Sequence, residues 1–228
     1  MFVQLLQHTP EPERVVAAAA RLCYSASSVE QLMEQGPQER ARLLEKILSL
    51  GHLSVLEHAS FSFGVEGISR ACSHQLVRHR LASFSQQSQR YVSHKERFAA
   101  VVPPTIAERP ELLERYERLF DEVHELYREM LESGVPAEDA RFVLPNAAQT
   151  KLVLTMNARE LLHFFNLRCC RRAQWEIRAM AIEMLRLARI AAPLLFAGAG
   201  PACLTKPCPE GAMTCGAIDQ VRREFSEL

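Results

Sequence analysis

No acid occurs between Gly67 and Lys95, a run that carries five Lys/Arg residues and three histidines. The chain as a whole is neutral, with 27 basic and 27 acidic residues, so the stretch is a local exception. A pI near 7 argues against a surface built throughout for nucleic acid. No run of about 18 apolar residues is present, which excludes a membrane-spanning helix. The opening MFVQLLQHTPEPER has no basic segment ahead of an apolar one, so no secretory signal is expected. There is no G-x-G-x-x-G turn and no G-x-x-x-x-G-K-[ST] loop, so any phosphate must be held by side chains. There is also no C-x-x-C pair among the seven cysteines. Cys203, Cys208 and Cys215 have no histidine near them, and neither a metal site nor a disulfide framework is expected. Free thiols fit a cytoplasmic protein.

What is present suits an ordinary globular protein: 228 residues, 48% hydrophobic and 24% charged. One domain over residues 1–228 is expected, with a loop-rich tail from about residue 200. Residues 2–7 suggest a strand, and Glu11–Cys23 and Pro37–Leu50 suggest helices with apolar residues at helical spacing. Ala59–Val65 alternates as a half-buried strand does, and Ile68–Arg78 can be helical. The Ser-rich run Arg80–Arg90 reads as an ordered loop, and Phe98–Val102 as a short strand. One long helix is expected over Ile106–Ser133 and a short one over Ala137–Phe142. Lys151–Met156 follows as a strand, then helices over Asn157–Cys170 and Ala173–Ala191. Strands and helices mix without regular alternation, which predicts an α+β fold with a mixed sheet and several long helices.

Two clusters carry chemistry. In QLVRHRLASFSQQSQRY the guanidinium forks of Arg78, Arg80 and Arg90, with serine hydroxyls, suit phosphate. The bland alternative is that these arginines pair with acids elsewhere, such as those of the Glu-rich long helix. In NARELLHFFNLRCCRRAQWEIR, helical spacing puts Arg159, His163 and Asn166 on one face and separates Asn157 from Arg168 by about 16 Å. That mixture of polar and apolar groups predicts a helix partly buried beside something polar. A third segment, GHLSVLEH, brings His52 and His58 six residues apart, a poor metal spacing and an ordinary turn.

RHRLASFSQQS, Arg78 to Ser88, resembles the signature of the flavin-dependent thymidylate synthases: R-H-R, seven residues, then S. RLCYS, GHLSVLEHASFSF, RFVLP and NARELLHFFNLRCCRRAQWEIR resemble other blocks of that family in the same order, so the resemblance spans roughly residues 1–200. It implies reductive methylation of dUMP to dTMP, with FAD as cofactor and methylenetetrahydrofolate and NADPH as co-substrates. By resemblance, Ser54, Arg78, His79, Arg80, Gln86, Asn157, Arg159 and His163 would hold FAD. The dUMP positions would be Gln75, Leu76, Val77, Arg78, Gln86, Gln87, Ser88, Gln89, Arg90, Arg141 and Arg168, with Ser88 and Arg90 near the phosphate. Arg168 would polarise the uracil ring. Some members carry an acid where this chain has Gln86 and Asn where it has His163. The resemblance further implies a homotetramer with active sites shared between subunits, and no nucleic-acid or membrane partner. The rival reading is a phosphate- or nucleic-acid-binding module using residues 67–95. Aromatic platforms for bases are thin there, with Phe84 and Tyr91. A folate-dependent methyltransferase of RNA is a third reading, weakened by the missing glycine motif.

Overall fold

Side chains in QTKLVLTMN alternate faces, and in the computed structural model this segment is a strand. The structure describes residues 1–93 and 97–228, so His94 and Lys95 of the acid-free run lie outside the described residues. Strand β1 is Phe2–His8, β2 Ser60–Ser69, β3 Ala82–Gln86 and β4 Gln149–Asn157. They form one antiparallel sheet in the order β1-β2-β4-β3, where a mixed sheet was expected within the α+β fold. Thr150, Leu152, Leu154 and Met156 of β4 are buried, as period-two alternation requires. Phe61, Phe63 and Val65 of β2 are fully buried.

Helices supply the rest of the α+β fold. In chain order they are α1 (Pro12–Leu22), α2 (Val29–Met33), α3 (Pro37–Leu50), α4 (Arg70–Leu76), α5 (Pro104–Ala107) and α6 (Pro110–Glu132). After these come α7 (Ala137–Ala140), α8 (Ala158–Arg168), α9 (Trp175–Ala191), α10 (Pro193–Phe196) and α11 (Ile218–Ser226). No helix among the described residues is long and apolar enough to cross a membrane.

Several boundaries differ from those expected, each for a local reason. Residues 80–90 do not form a loop throughout, since Ala82–Gln86 is edge strand β3, and beyond it the Gln87 N–H donates to the Lys151 carbonyl at 3.0 Å. Pairing with β4 overrides the weak strand propensity of Ser and Gln. The helix expected from Ile68 starts at Arg70, because β2 runs on to Ser69, whose hydroxyl caps the helix by accepting from Cys72 N–H at 2.9 Å. The long helix is broken before Pro110: Arg109 is extended, at φ −125° and ψ 93°, as a residue preceding proline prefers. Phe98–Val102 forms a single bridge, Ala100 with Ala148, rather than a strand. Helices α2, α10 and α11 were not expected.

The chain forms two compact units. The first comprises Met1–Phe2, Val65–Arg78 and Ser85–Val153. Its core is built on Phe98, Phe120 and Ala148, with Tyr116, Val123 and Leu144 packed against them. The second comprises Val3–Gly64, His79–Phe84 and Leu154–Leu228. Here α9 buries Ile177, Met180, Ala181, Met184, Leu185 and Ala188, one stripe at helical spacing. Phe196 meets Phe61 and Phe165 edge-on, at 5.3 and 6.0 Å between ring centroids. Arg189 of α9 ties down the tail by donating to the carbonyls of Phe196, Ala199 and Phe225 at 3.3, 3.0 and 3.1 Å.

Candidate active site

In the first unit, α4 and the segment after β3 bring cations together. Arg90 is half exposed and bonds Glu138 through both Nε and Nη2, at 2.9 and 2.8 Å. Arg141 donates to the backbone carbonyl of that same Glu138 at 3.0 Å, so the two guanidiniums have a common neighbour. Arg70, half buried on α4, feels Arg141 as well: burial, then this like charge, pulls its pKa below the usual arginine range. Ser88 accepts from the Arg90 N–H at 3.2 Å, and its carbonyl accepts from Val92 N–H at 3.0 Å, making a tight polar turn. Gln86 donates from Nε2 to Ser73 Oγ at 3.0 Å and Thr150 Oγ1 at 3.1 Å, which fixes its amide. Arg78 is exposed and lies 3.4 Å from the His74 ring nitrogen. Leu76 is fully buried.

In the second unit, α8 organises the polar groups. Asn157 caps it by accepting from Glu160 N–H at 2.9 Å. Arg159 and His163 lie on its exposed side, as the i,i+4 spacing predicts. Arg159 pairs with Glu57. His79 is only 5% exposed and sits between two residues of α8: Nδ1 is 3.1 Å from Glu160 Oε1, and Nε2 accepts from Arg168 Nε at 3.0 Å. Phe164 meets the His79 ring edge-on at 4.9 Å and His163 at 5.9 Å. Arg80 is exposed. Ser54 is exposed in a short 3-10 helix and lines a cleft of about 660 Å³ with Tyr24, Lys46, His52 and Arg159. A smaller cleft of about 300 Å³ is lined by Asn166, Arg168, Cys170, Cys203 and Cys208. Burial raises the Cys203 thiol pKa, and Cys208, Cys170 and Cys215 push it the same way. Among the described residues no group of three His, Cys, Asp or Glu side chains is arranged to hold a metal ion.

The structure therefore gathers Arg90, Arg141 and Ser88 in one unit, and His79, His163 and Arg168 in the other. Sequence reasoning missed Arg70, Glu138 and Glu160. Arg70 stands inside the acid-free run and could have been drawn from it. Glu138 and Glu160 gave no signal of their own, because their partners are 48 and 81 residues away in sequence.

Fold and site together define an α+β protein with arginines concentrated on an acid-poor segment and one arginine held by a buried histidine. A family model described as thymidylate synthase complementing protein matches residues 4–194, and the chain belongs to that family. It is 58% identical over 230 residues to the flavin-dependent thymidylate synthase of Geobacter sulfurreducens, an alignment covering 100% of this chain and 99% of the relative. The flavin-dependent thymidylate synthase of Clostridium tetani is 44% identical over 240 residues, covering 98% and 96% of the two chains. That of Pyrococcus furiosus is 42% identical over 239 residues, covering 99% and 97%.

Proposed function

We propose that this chain converts dUMP to dTMP, taking the one-carbon unit from methylenetetrahydrofolate and reducing equivalents from NADPH by way of FAD. The observation that carries this reading is end-to-end likeness to relatives named flavin-dependent thymidylate synthase, 58% identical in one case. The site chemistry agrees with it.

The cleft bearing Ser54 and Arg159 fits a flavin dinucleotide. Lys46 and Arg159 can meet a pyrophosphate, Arg159 exchanging its ion pair with Glu57 for the ligand, and Leu43, Ile47 and Leu50 offer apolar cover. FAD, when bound, supplies two-electron transfer; the protein supplies binding, orientation and field. Arg78, His79, Arg80, Asn157, His163 and Gln86 complete the flavin set by family resemblance. The dUMP phosphate falls to Arg90, Arg141 and Ser88, with Arg70 adding a third positive charge. Glu138 holds Arg90 until the phosphate replaces it. Gln86 has both amide hydrogens engaged, so what it offers a ligand is its carbonyl oxygen, an acceptor for a ring N–H or a hydroxyl. Arg168 donates to the pyrimidine and stabilises the negative charge that develops as carbon 5 becomes nucleophilic. No cysteine nucleophile is required by this scheme.

Homotetramer assembly, with Ser54 serving a neighbouring subunit's flavin, follows from the resemblance, as does a cytoplasmic setting. An active monomer by light scattering would contradict the shared site. The reaction itself is tested by incubating flavin-loaded protein anaerobically with dUMP, NADPH and methylenetetrahydrofolate labelled in its one-carbon unit. Labelled dTMP is the expected product. Flavin-loaded protein that makes none would overturn the assignment.

A further inference from the structure

An acid in the first turn of a helix ordinarily faces solvent or turns back to the capping backbone. Glu160, third residue of α8, does neither. It is 5% exposed and reaches the equally buried His79. Burying a carboxyl costs free energy unless partners offset it, so the arrangement has to be explained by what it holds in place.

The donor inventory settles the protons. A guanidinium can only donate, so His79 Nε2, 3.0 Å from Arg168 Nε, is the acceptor and carries no hydrogen. The ring hydrogen is therefore on Nδ1, directed at Glu160 Oε1 at 3.1 Å. His79 is the neutral Nδ1–H tautomer. Its pKa direction agrees: burial lowers it, and Arg168 and His163 lower it further against the opposing pull of Glu160. Without an acceptor at Nδ1 the ring could equally carry its hydrogen on Nε2. An N–H would then face the Arg168 N–H, two donors nose to nose.

We propose that Glu160 is a positioning residue for the reaction: acting through His79, it fixes the tautomer that holds the Arg168 guanidinium in one orientation. The inference rests on the role given to Arg168 above. The logic is that of any carboxylate that orients a histidine so that its far nitrogen can serve the chemistry. Here the far nitrogen receives an arginine instead of a metal or a hydroxyl. Glu160 and Arg168 stand on the same helix, eight residues or about 12 Å of axis apart, so α8 carries both ends of the relay and His79 bridges them.

The test pairs a ring-tautomer spectrum with kinetics. Holoenzyme labelled with 15N-histidine, its His79 signal identified by loss in His79→Asn, should show a protonated Nδ1 and a bare Nε2. Glu160→Gln keeps an acceptor facing Nδ1 and should keep both the spectrum and most of the turnover. Glu160→Met, of similar length but without that acceptor, should show mixed tautomers. Its kcat should fall about 10- to 100-fold, with KM for dUMP and flavin content unchanged. A protonated Nε2 in the wild type overturns the proposal. So does an unchanged ring spectrum in Glu160→Met, or a turnover loss that merely tracks lost FAD or dUMP. Full turnover in Arg168→Lys would instead sink the role of Arg168, and the ring spectrum, which needs no turnover, tells the two failures apart.

Discussion

Arg168 is the side chain whose loss should be felt most in turnover. A preorganised donor aimed at developing charge typically contributes about 100- to 1,000-fold in rate. Arg168→Ala should lose on that order in kcat while flavin stays bound, measured by dTMP formation under saturating dUMP. Near-normal turnover would contradict the role. His79 gives a second expectation. Its folded pKa lies below its ordinary value, chiefly through burial, so the unfolded chain binds the extra proton first. Stability is then fully present above about pH 6.5, the unperturbed value, and is lost as pH falls from there through the folded pKa. Unfolding midpoints in denaturant should drop over that window, and His79→Gln should flatten the slope. The groups around His79 were only half legible in sequence. The histidine and the arginine stand in recognisable motifs, but Glu160 reads as an ordinary first-turn acid until the fold brings it to a residue 81 positions away. The bland alternative for the arginines holds in one respect, since Arg90 does pair with an acid, Glu138.

Elements were legible where a face is buried and obscure where pairing alone decides. β4 and α9 announce themselves through clean alternation and a helical stripe. β3 does not, because an edge strand of Ser, Phe and Gln becomes one by hydrogen bonding to β4 and not by its own propensity. The tail was illegible for a related reason. Its order comes from Arg189 binding three carbonyls, and from Val221 and Phe225 of α11 being buried, none of which has a local signature. Gly200 sits at the point where the tail turns, at φ 147°, a conformation L side chains rarely adopt. A Cβ there would lie 2.5 Å from Leu204 Cδ1 and 3.0 Å from Phe225 Cδ1. Gly200→Ala should cost about 1–3 kcal/mol through strain and displaced packing. A lower melting temperature and faster proteolysis of the last helix would show it, and an unchanged melting temperature would contradict it.

For the molecule as a whole, the telling contrast is between zero net charge and a 29-residue run without an acid. Charge placed this way makes the segment locally positive, as an anion site needs, while the rest of the chain carries the balancing excess of acid. The family model ends at residue 194, but the likeness to the Geobacter sulfurreducens relative covers the whole chain, so it runs through the tail with Cys203, Cys208 and Cys215. The most direct test is growth. Expressed in bacteria whose own thymidylate synthase gene has been deleted, the chain should permit growth without added thymidine, and the Arg168→Ala variant should not. Continued dependence on thymidine, in cells that accumulate soluble and flavin-loaded protein, would contradict the assignment of this chain to dTMP synthesis.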